Sequence, residues 1–558
     1  KLEEWLQFPP QMMEKQNDME NLHQKGTGGW LFEDDKFTAW QDHAGFLWIQ
    51  GQSGAGKSVL CSTVIRKLLD DQQLFTDKTA SPAIGYFYFD FRDEKKQSVE
   101  IALRRILLQL SARSTHPYET LNEEYIKSSG QNLPNYGQLL QILKELLGKL
   151  GRTCIVLDAL DECKEADYQR LVDLISKIQS WSGISLHLLV TSQPRGIFTE
   201  AFEDAACITL EPQVTETDII FFVTTQLQEN YKLKKLAKYK EDIISTIVDK
   251  SRGMFRLAAC LLMELSQYAL PGKLKEALSE LPDDLYEIYD RFLTPIYRKH
   301  PVYVERLLCF LVFAARPVSL DELDDALAVD ISSVNEDSFH PEQRGSAPVI
   351  CGGLEGLVNT VKSDNYNDRW GTTVHLAHAS VQEYLLSTKF REQFKCDVRE
   401  NISHNFIAQT CIGYLLYFCN HPLNAENVWK YPLSLYAAHN WHYHLHNCSV
   451  PSDKGLLGST MKLLKNGSQQ YDLHDFEHPS RGRASIQEQG GRYDDLLQAA
   501  AYEGMAEIVC LLLEKGADIN AEGGEYGNAL QAAAYRGNTE TVHLLLEKGA
   551  DINAQGGL

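Results

Sequence analysis

Short apolar runs alternate with longer amphipathic segments between residues 46 and 210. A short apolar run bounded by turn residues predicts a buried strand, and apolar residues that recur at helical spacing predict a helix. The predicted strands are residues 46–50, 83–90, 153–157, 185–191 and 207–210, and the predicted helices between them are residues 57–73, 97–113, 136–150 and 165–180. This alternation predicts a doubly wound α/β domain over residues 46–211, in which ligands bind at the carboxyl ends of the strands.

The pattern becomes helical after this domain. Apolar spacing predicts a helical domain at residues 212–280, a second helical set at residues 281–390 and a further helical segment at residues 391–465. Residues 466–490 are rich in Gly, Ser and Gln, which is typical of a linker. The polar, glycine-interrupted residues 1–45 predict an N-terminal arm that connects to the first strand and packs on it.

The last segment, residues 491–558, repeats itself. The sequence G-A-D-I-N-A occurs at residues 516–521 and again at residues 549–554, an offset of 33 residues. That period, with two short helices in each copy, is typical of ankyrin repeats. The usual T-P-L-H is replaced by N-A-L-Q at residues 528–531, which predicts weaker hydrogen bonding there but keeps Leu530 in the core. Because two copies cannot bury a continuous core alone, we expect more repeats beyond the last residue.

Composition narrows the classes of function. The chain has 558 residues, which predicts several domains, and its formal charge of −22 disfavours nucleic acid or an anionic membrane as the main partner. No apolar stretch approaches the length of a membrane span. The 12 cysteines are scattered without a C-x-x-C pair, which favours reduced thiols and a cytoplasmic location. Because the chain begins with Lys1 rather than Met and stops inside a repeat, we expect it to be a fragment of a longer polypeptide.

The first predicted strand leads directly into the sequence G-Q-S-G-A-G-K-S. Glycines without a Cβ let successive backbone N–H groups approach an anion, so this pattern before a helix predicts a phosphate-binding loop. The side chain of Lys57 would reach the β- and γ-phosphates, and the hydroxyl of Ser58 would bind Mg²⁺. The predicted nucleotide-binding residues here are Gly51, Ser53, Gly54, Ala55, Gly56, Lys57, Ser58 and Val59.

A second group of candidate residues follows the third predicted strand, in the sequence C-I-V-L-D-A-L-D-E. Asp158 ends this buried strand, where its carboxylate would hold Mg²⁺ opposite Ser58. Glu162 is our choice for the general base that activates water, and Asp161 is its competitor. At the end of the next strand, Thr191 through its hydroxyl and Arg195 through its charge are candidate sensors of the γ-phosphate.

The sequence H-N-W-H-Y-H-L-H at residues 439–446 concentrates histidines. Its spacing fits no standard zinc pattern, and no acidic or thiol side chain is interleaved. We therefore favour a packed aromatic and histidine helix over a metal site.

Taken together, these motifs resemble the NACHT family of STAND nucleotide switches, which are P-loop NTPases related to animal NOD-like receptors and common in fungi. The resemblance covers the phosphate loop, the acidic motif with Ala159 after the metal-binding aspartate, and T-S-x-P-R at residues 191–195, where this chain has Gln193 instead of the family's arginine. It implies that the strand ending at Thr191 lies between the phosphate-loop strand and the acidic strand. It also implies that residues 281–390 form a winged-helix-like domain.

Within that domain, the sequence V-H-L-A-H-A-S at residues 374–380 resembles the end of the family's winged helix. The resemblance implies that His378 contacts the β-phosphate of bound ADP in the resting protein. A lone histidine before an amphipathic helix is also common as a structural residue, and that alternative stays open.

Three functions fit these observations. The first, which the resemblance implies, is a switch that rests with ADP, exchanges it for ATP, forms a homo-oligomer and hydrolyses ATP slowly with Mg²⁺. The ankyrin repeats would then sense a protein ligand, in non-self recognition or regulated cell death. The second is a turnover ATPase that uses the same residues. The third is an ankyrin scaffold in which the P-loop domain is structural.

Overall fold

The protein is described from a computed structural model of the chain. The described residues are 1–553, except 8, 74–81, 129, 131–132, 269–270, 363–370, 422, 424–426, 449–453, 467–495, 503, 515–516 and 522–526. The predicted linker, apart from Asn466, lies outside them, as do parts of the repeated segment. Within the described residues, none of the helices has the length and apolar character needed to cross a membrane.

The chain divides into two compact units. The first consists of Lys1–Arg291 and His378–Ser380, and the second consists of Phe292–Ala377 and Val381–Leu558. The short segment His378–Ser380 therefore belongs with residues that precede it by almost ninety positions.

The first unit is built on a five-stranded parallel sheet. Its strands are β1 (Gly45–Gln50), β2 (Ala83–Tyr88), β3 (Thr153–Asp158), β4 (Leu186–Ser192) and β5 (Ala206–Thr209). The order across the sheet is β2-β3-β4-β1-β5, so the predicted doubly wound fold is confirmed, and so is the position of the Thr191 strand between the other two. Every residue of β2, β3 and β4 is buried, which explains their continuous apolar sequences.

Register brings the strand ends together. Gln50 at the end of β1 is opposite Ser192 at the end of β4, and Tyr88 at the end of β2 is opposite Asp158 at the end of β3. In a parallel sheet the residues that follow these ends share one edge, so the candidate residues of three sequence motifs meet there.

Helices cover both the sheet and the region after it. The helices of this part of the chain are α1 (Leu2–Trp5), α2 (Met13–Leu22), α3 (Asp35–Asp42), α4 (Lys57–Gln73), α5 (Val99–Ser111), α6 (Glu119–Lys127), α7 (Tyr136–Lys149), α8 (Tyr168–Gln179), α9 (Gly196–Ala201), α10 (Pro212–Glu229), α11 (Lys240–Ser251), α12 (Phe255–Tyr268), α13 (Leu274–Ser279) and α14 (Leu285–Lys299). Helix α6 was not among the predicted helices. Its apolar face is short, with Thr120 and Leu121 as its buried residues, so its periodic signal is weak.

The N-terminal residues form more than the predicted connecting arm. Helix α3 packs near β1 as expected, but the segment before it crosses to the opposite edge of the sheet. There the backbone N–H of Tyr88 donates to Met12 Sδ at 3.3 Å, and the side-chain amide of Gln16 donates to the carbonyl of Ser62 at 2.9 Å. Because Met12 and Gln16 are both buried, the arm is part of the core of this domain.

The second unit contains a three-stranded antiparallel sheet and a series of helices. Its strands are β6 (Val318–Ser319), β7 (Val358–Lys362) and β8 (Thr372–Leu376), in the order β6-β8-β7. The helices after α14 are α15 (Pro301–Phe313), α16 (Leu320–Leu327), α17 (Ser346–Gly353), α18 (Ala379–Leu386), α19 (Thr388–Phe394), α20 (Glu400–Tyr417), α21 (Leu433–Asn447), α22 (Lys454–Asn466), α23 (Leu496–Tyr502), α24 (Ala506–Glu514), α25 (Ala529–Arg536) and α26 (Thr539–Glu547). The hydrophobic pattern did not show the strands of this sheet, the first of which, β6, is only two residues long.

The histidine-rich sequence lies in helix α21, which packs against α20 as predicted. His444 is fully buried, and its two ring nitrogens lie 2.8 Å from His404 Nδ1 and 2.8 Å from the hydroxyl of Tyr436. Burial and the neighbouring His404 hold the pKa of His444 well below its usual range, so this ring is neutral.

The ankyrin helices pair as α23 with α24 and α25 with α26. At residues 528–531, where the sequence predicts weaker hydrogen bonding than T-P-L-H, one hydrogen bond caps the start of the helix. The side chain of Asn528 caps α25 by accepting a hydrogen bond from the N–H of Gln531 at 2.9 Å. Leu530 is buried as expected.

Candidate functional site

The phosphate-binding loop connects β1 to α4. Gly54 and Gly56 have φ values of +81° and +93°, which only glycine adopts without strain. A Cβ at Gly54 would also lie 2.8 Å from the Cβ of Arg256, which approaches the loop from the start of α12. The other predicted loop residues, Ser53, Ala55 and Val59, lie in the same turn and in the first turn of α4. Positive φ values in a loop that opens a helix form an anion-binding geometry, so this loop fits a phosphate group.

Lys57 folds back over the loop that it follows. Its Nζ donates to the carbonyl of Gly51 at 2.8 Å and to the carbonyl of Gln52 at 3.0 Å, and the side chain is almost fully buried. A buried ammonium held by loop carbonyls places a positive charge where the sequence motif requires it.

Asp158 lies at the centre of a small group of oxygen atoms. The hydroxyl of Thr191 donates to Asp158 Oδ1 at 2.6 Å, and the hydroxyl of Ser58 also hydrogen-bonds to this carboxylate. Burial raises the pKa of Asp158 despite these two hydrogen bonds. Hydroxyl and carboxylate oxygens beside an anion-binding loop are the ligands that Mg²⁺ prefers, so Ser58 and Asp158 fit the predicted metal site.

Thr191 is tied to the acidic strand by both its hydrogen bonds. Besides donating to Asp158, its hydroxyl accepts from the backbone N–H of Ala159 at 2.9 Å. Ala159 has a φ of 56°, an uncommon conformation for a residue with a Cβ, and a small side chain limits the strain. Thr191 therefore orients Asp158. If Thr191 senses a γ-phosphate, it would do so through its hydrogen bond to the carboxylate of Asp158.

The two candidate bases, Asp161 and Glu162, accept hydrogen bonds from residues that follow different strands. Asp161 Oδ1 accepts from the N–H of Gln193 at 2.9 Å, at the end of β4. Glu162 Oε2 accepts from the N–H of Phe91 at 3.2 Å, beyond the end of β2. Burial and the neighbouring Asp90 raise the pKa of Glu162 above its usual range. A raised pKa makes a carboxylate a better proton acceptor, so this arrangement favours Glu162 over Asp161 as the base.

Arg195 lies at the edge of the group. Its side chain is exposed at the residue before α9, and its charge acts on Tyr168, whose hydroxyl donates to the carbonyl of Asp161 at 2.7 Å. The described geometry thus places Arg195 beside the acidic turn.

An ion cluster that no sequence motif marks lies next to Glu162. Asp90 accepts from Lys15 Nζ at 2.8 Å and from Arg92 Nε and Nη2 at 2.7 and 2.6 Å. Burial alone would raise the pKa of Asp90, but Arg92 and Lys15 hold it well below its usual range. Lys15 comes from α2 in the N-terminal arm, and no spacing relates it to the other site residues. Its charge also lowers the pKa values of Asp158 and Glu162.

His378 belongs to the same unit as the phosphate loop. The residue as a whole is partly exposed, and its Nδ1 lies 2.8 Å from Ser380 Oγ. Burial lowers the pKa of His378 to about 3, and the nearby charges of Arg256 and Lys57 lower it in the same direction. The ring is therefore neutral at physiological pH, in a positively charged environment that suits an anion.

Comparison with known proteins agrees with this description. Three family models match the chain in order: nephrocystin 3, N-terminal, over residues 26–193; GPI inositol-deacylase, winged helix domain, over residues 294–397; and ankyrin repeats (3 copies) over residues 456–556. The fold and the site thus define a P-loop NTPase-like protein with a winged-helix domain and ankyrin repeats.

Two curated relatives are fungal. Azaphilone pigments biosynthesis cluster protein L of Monascus ruber is 29% identical over 300 residues, which cover 43% of this chain and 61% of the relative. Vegetative incompatibility protein HET-E-1 of Podospora anserina is 23% identical over 382 residues, which cover 64% of this chain and 26% of the relative. These matches confirm the predicted resemblance to fungal NACHT-type proteins. The chain spans less than two thirds of the length of either relative.

Among solved structures, a Walker-type ATPase of Pyrococcus abyssi aligns with 13% identity and a TM-score of 0.28, over 63% of this chain and 94% of that one. The order of the strands and the geometry of the loop carry the fold assignment here.

Proposed function

We propose that this chain is a nucleotide-dependent switch that rests with bound ADP and changes state when ATP replaces it. One observation carries the proposal. The segment His378–Ser380 lies within the stretch that matches the winged-helix model, yet it belongs to the unit that contains the phosphate loop. A nucleotide site that recruits a residue from a later domain has a means of linking its occupancy to that domain.

The residues of the first unit have complementary roles in this proposal. Lys57 and the loop N–H groups bind the phosphates, while Ser58 and Asp158 hold Mg²⁺, which would neutralise phosphate charge. Glu162 accepts the proton of the attacking water, and Thr191 orients Asp158. The neutral ring of His378 offers a hydrogen bond to a phosphate oxygen of ADP, which would be stronger in the resting state than after exchange.

The ankyrin repeats supply the sensing module of the proposed switch. Their repeated helix pairs form a surface suited to a protein ligand. Binding of that ligand would favour the ATP state, in which the chain forms a homo-oligomer and an N-terminal effector is activated. A shift from 1% to 99% of the active state requires about 5.5 kcal/mol of preference, so the ligand has to bind the active state far more tightly. The resemblance to one fungal relative, the vegetative incompatibility protein HET-E-1, favours a role in non-self recognition.

A turnover ATPase is the second candidate, and the raised pKa of Glu162 favours it. The two functions share their residues and differ in rate. Turnover below about one per minute would indicate a switch, because ordinary enzymes run near 10 s⁻¹.

The test is the nucleotide released when freshly purified protein is denatured, together with the mass of the protein in solution with ADP and with ATP. We expect about one ADP per chain, a monomer with ADP and a larger assembly with ATP. Lys57→Ala should lose the nucleotide and the assembly, whereas Lys67→Ala, on the exposed side of the same helix, should keep both. A wild-type protein without adenine nucleotide would contradict the proposal.

A further inference from the structure

Four side chains of the first unit form a continuous series of hydrogen bonds that ends on His378. Arg256 Nε lies 3.2 Å from the hydroxyl of Tyr289, and that hydroxyl lies 2.8 Å from Ser380 Oγ. Ser380 Oγ in turn lies 2.8 Å from His378 Nδ1. The side chains of Tyr289 and Ser380 are buried. At its other end the series meets the phosphate loop, because the backbone N–H of Arg256 donates to the carbonyl of Gly54 at 3.1 Å.

The direction of each hydrogen bond follows from the histidine. The backbone N–H of Ser380 donates to His378 Nδ1 at 3.1 Å, so this nitrogen is an acceptor and carries no proton. The contact between Ser380 Oγ and the same nitrogen then requires the serine hydroxyl to donate. Since a hydroxyl has one proton, the bond between Tyr289 and Ser380 uses the tyrosine proton. Arg256, which can only donate, completes the series on the tyrosine oxygen.

This arrangement determines the tautomer of His378. The ring is neutral and Nδ1 is the acceptor, so the single ring proton is on Nε2. The Nε2–H group is therefore a hydrogen-bond donor, and His378 as a residue is partly exposed. The opposite tautomer would present a lone pair there, which repels a phosphate oxygen.

We propose that Tyr289 is a positioning residue for nucleotide retention, because through Ser380 it holds the ring of His378 in the orientation from which Nε2–H donates to a phosphate oxygen of a bound nucleoside diphosphate. This inference rests on the function proposed above and adds a cause for it. Tyr289 acts through Ser380, and the link from Arg256 to Gly54 joins the same series to the loop that binds the phosphates. In this proposal, a movement of the phosphate-binding loop would change the position of the His378 ring through this series of hydrogen bonds.

Removal of the Tyr289 hydroxyl tests the positioning role of this residue separately from its packing. Tyr289→Phe keeps the buried ring but takes away the donor to Ser380 Oγ, so the serine hydroxyl is no longer held in place beneath the ring of His378. The backbone N–H of Ser380 still fixes the tautomer, and the variant therefore changes the orientation of the ring alone. We expect the release of ADP to become about five- to tenfold faster, the effect of losing one ordinary hydrogen bond. Tyr436→Phe is the matched control, since it also removes a buried hydroxyl bonded to a histidine, His444.

The decisive measurement is a double-mutant cycle on the full chain, with the dissociation rate of ADP that carries a fluorescent group on its ribose. In the His378→Ala background there is no ring to orient, so Tyr289→Phe should have no further effect. Equal fold-changes in both backgrounds would overturn the inference, and so would an unchanged rate in Tyr289→Phe alone. If Tyr289→Phe does not fold, Ser380→Ala breaks the next bond in the series and is expected to give the same pattern.

The outcomes separate this inference from the proposed function. If His378→Ala itself leaves ADP release unchanged, the role of His378 in the switch fails. If His378→Ala speeds release but Tyr289→Phe does not, the role of His378 stands and the positioning role of Tyr289 is wrong. A control Tyr436→Phe that speeds release as much as Tyr289→Phe would assign the effect to general destabilisation and would also overturn the inference.

Discussion

The backbone N–H of Arg256 donates to the carbonyl of Gly54 at 3.1 Å, so the start of helix α12 is fastened to the phosphate-binding loop. The approach is so close that a Cβ at Gly54 would lie 2.8 Å from Arg256 Cβ. The requirement for glycine at this position therefore has two causes, the positive φ and the packing of a helix from outside the motif.

Gly54→Ala is expected to abolish tight nucleotide binding. The new Cβ meets Arg256 Cβ, and the φ of +81° adds strain of about 1–2 kcal/mol, so the loop has to move. Isothermal titration with ADP should show at least a tenfold loss of affinity. Gly148→Ala is the control, because no atom lies near its added Cβ in helix α7 and alanine favours a helix. Equal ADP affinity in Gly54→Ala and Gly148→Ala would contradict the prediction.

Lys15→Ala is expected to destabilise the first unit by about 1–2 kcal/mol, because it removes one of the cations that compensate the buried Asp90. The loss should also raise the pKa of Glu162 further, since the charge of Lys15 lowers it. Urea unfolding gives the first quantity, and the pH profile of ATP hydrolysis gives the second. Lys25→Ala, at an exposed position of the same arm, should change neither.

Hydrolysis of ATP should become faster as pH rises through the raised pKa of Glu162. Only the deprotonated carboxylate accepts a proton from water, and a raised pKa moves the appearance of that form to higher pH. The rise would be seen in phosphate release measured between about pH 5 and 9, a range that brackets ordinary and raised carboxyl pKa values. Glu162→Gln should remove the activity, whereas Asp161→Asn should retain the pH midpoint. A midpoint that moves with Asp161→Asn would assign the base to Asp161 instead.

Asn528→Ala should destabilise the ankyrin repeats by about 1 kcal/mol, because it removes the hydrogen bond that caps helix α25. Thermal unfolding monitored by circular dichroism is the measurement. The exposed His543→Ala in the neighbouring helix is the control and should change stability by less than about 0.5 kcal/mol. Equal melting temperatures for the two variants would show that the cap contributes nothing.

The helices and strands of the nucleotide unit were predictable because their signal is local. The apolar runs at β3 and β4 are continuous since both faces of those strands are buried, and the spacing in α7 and α8 matches one covered face. Helix α6 was not predicted because its apolar face is short, so its local signal is weak.

The site residues were also predictable only where the signal is local in the sequence. The loop from Gly51 to Ser58 is contiguous, so its chemistry is visible in the sequence. Lys15 and Tyr289 reach the site from separate segments, and no periodicity or motif marks a residue whose role depends on a partner far along the chain. Asp161 and Glu162 are adjacent in sequence, and only their different hydrogen-bond partners on β4 and beyond β2 distinguish them.

The amino-acid sequence by itself determined the class of this protein: a parallel α/β sheet with a phosphate-binding loop, followed by helices and ankyrin repeats. Short-range patterns suffice for that, because backbone conformation and burial repeat within a few residues. The tertiary structure decided which side chains surround the loop. It brought Arg256 against Gly54, placed His378 in the same unit and joined the two through Tyr289 and Ser380. Hydrogen bonds between distant segments depend on packing directions that no local pattern encodes.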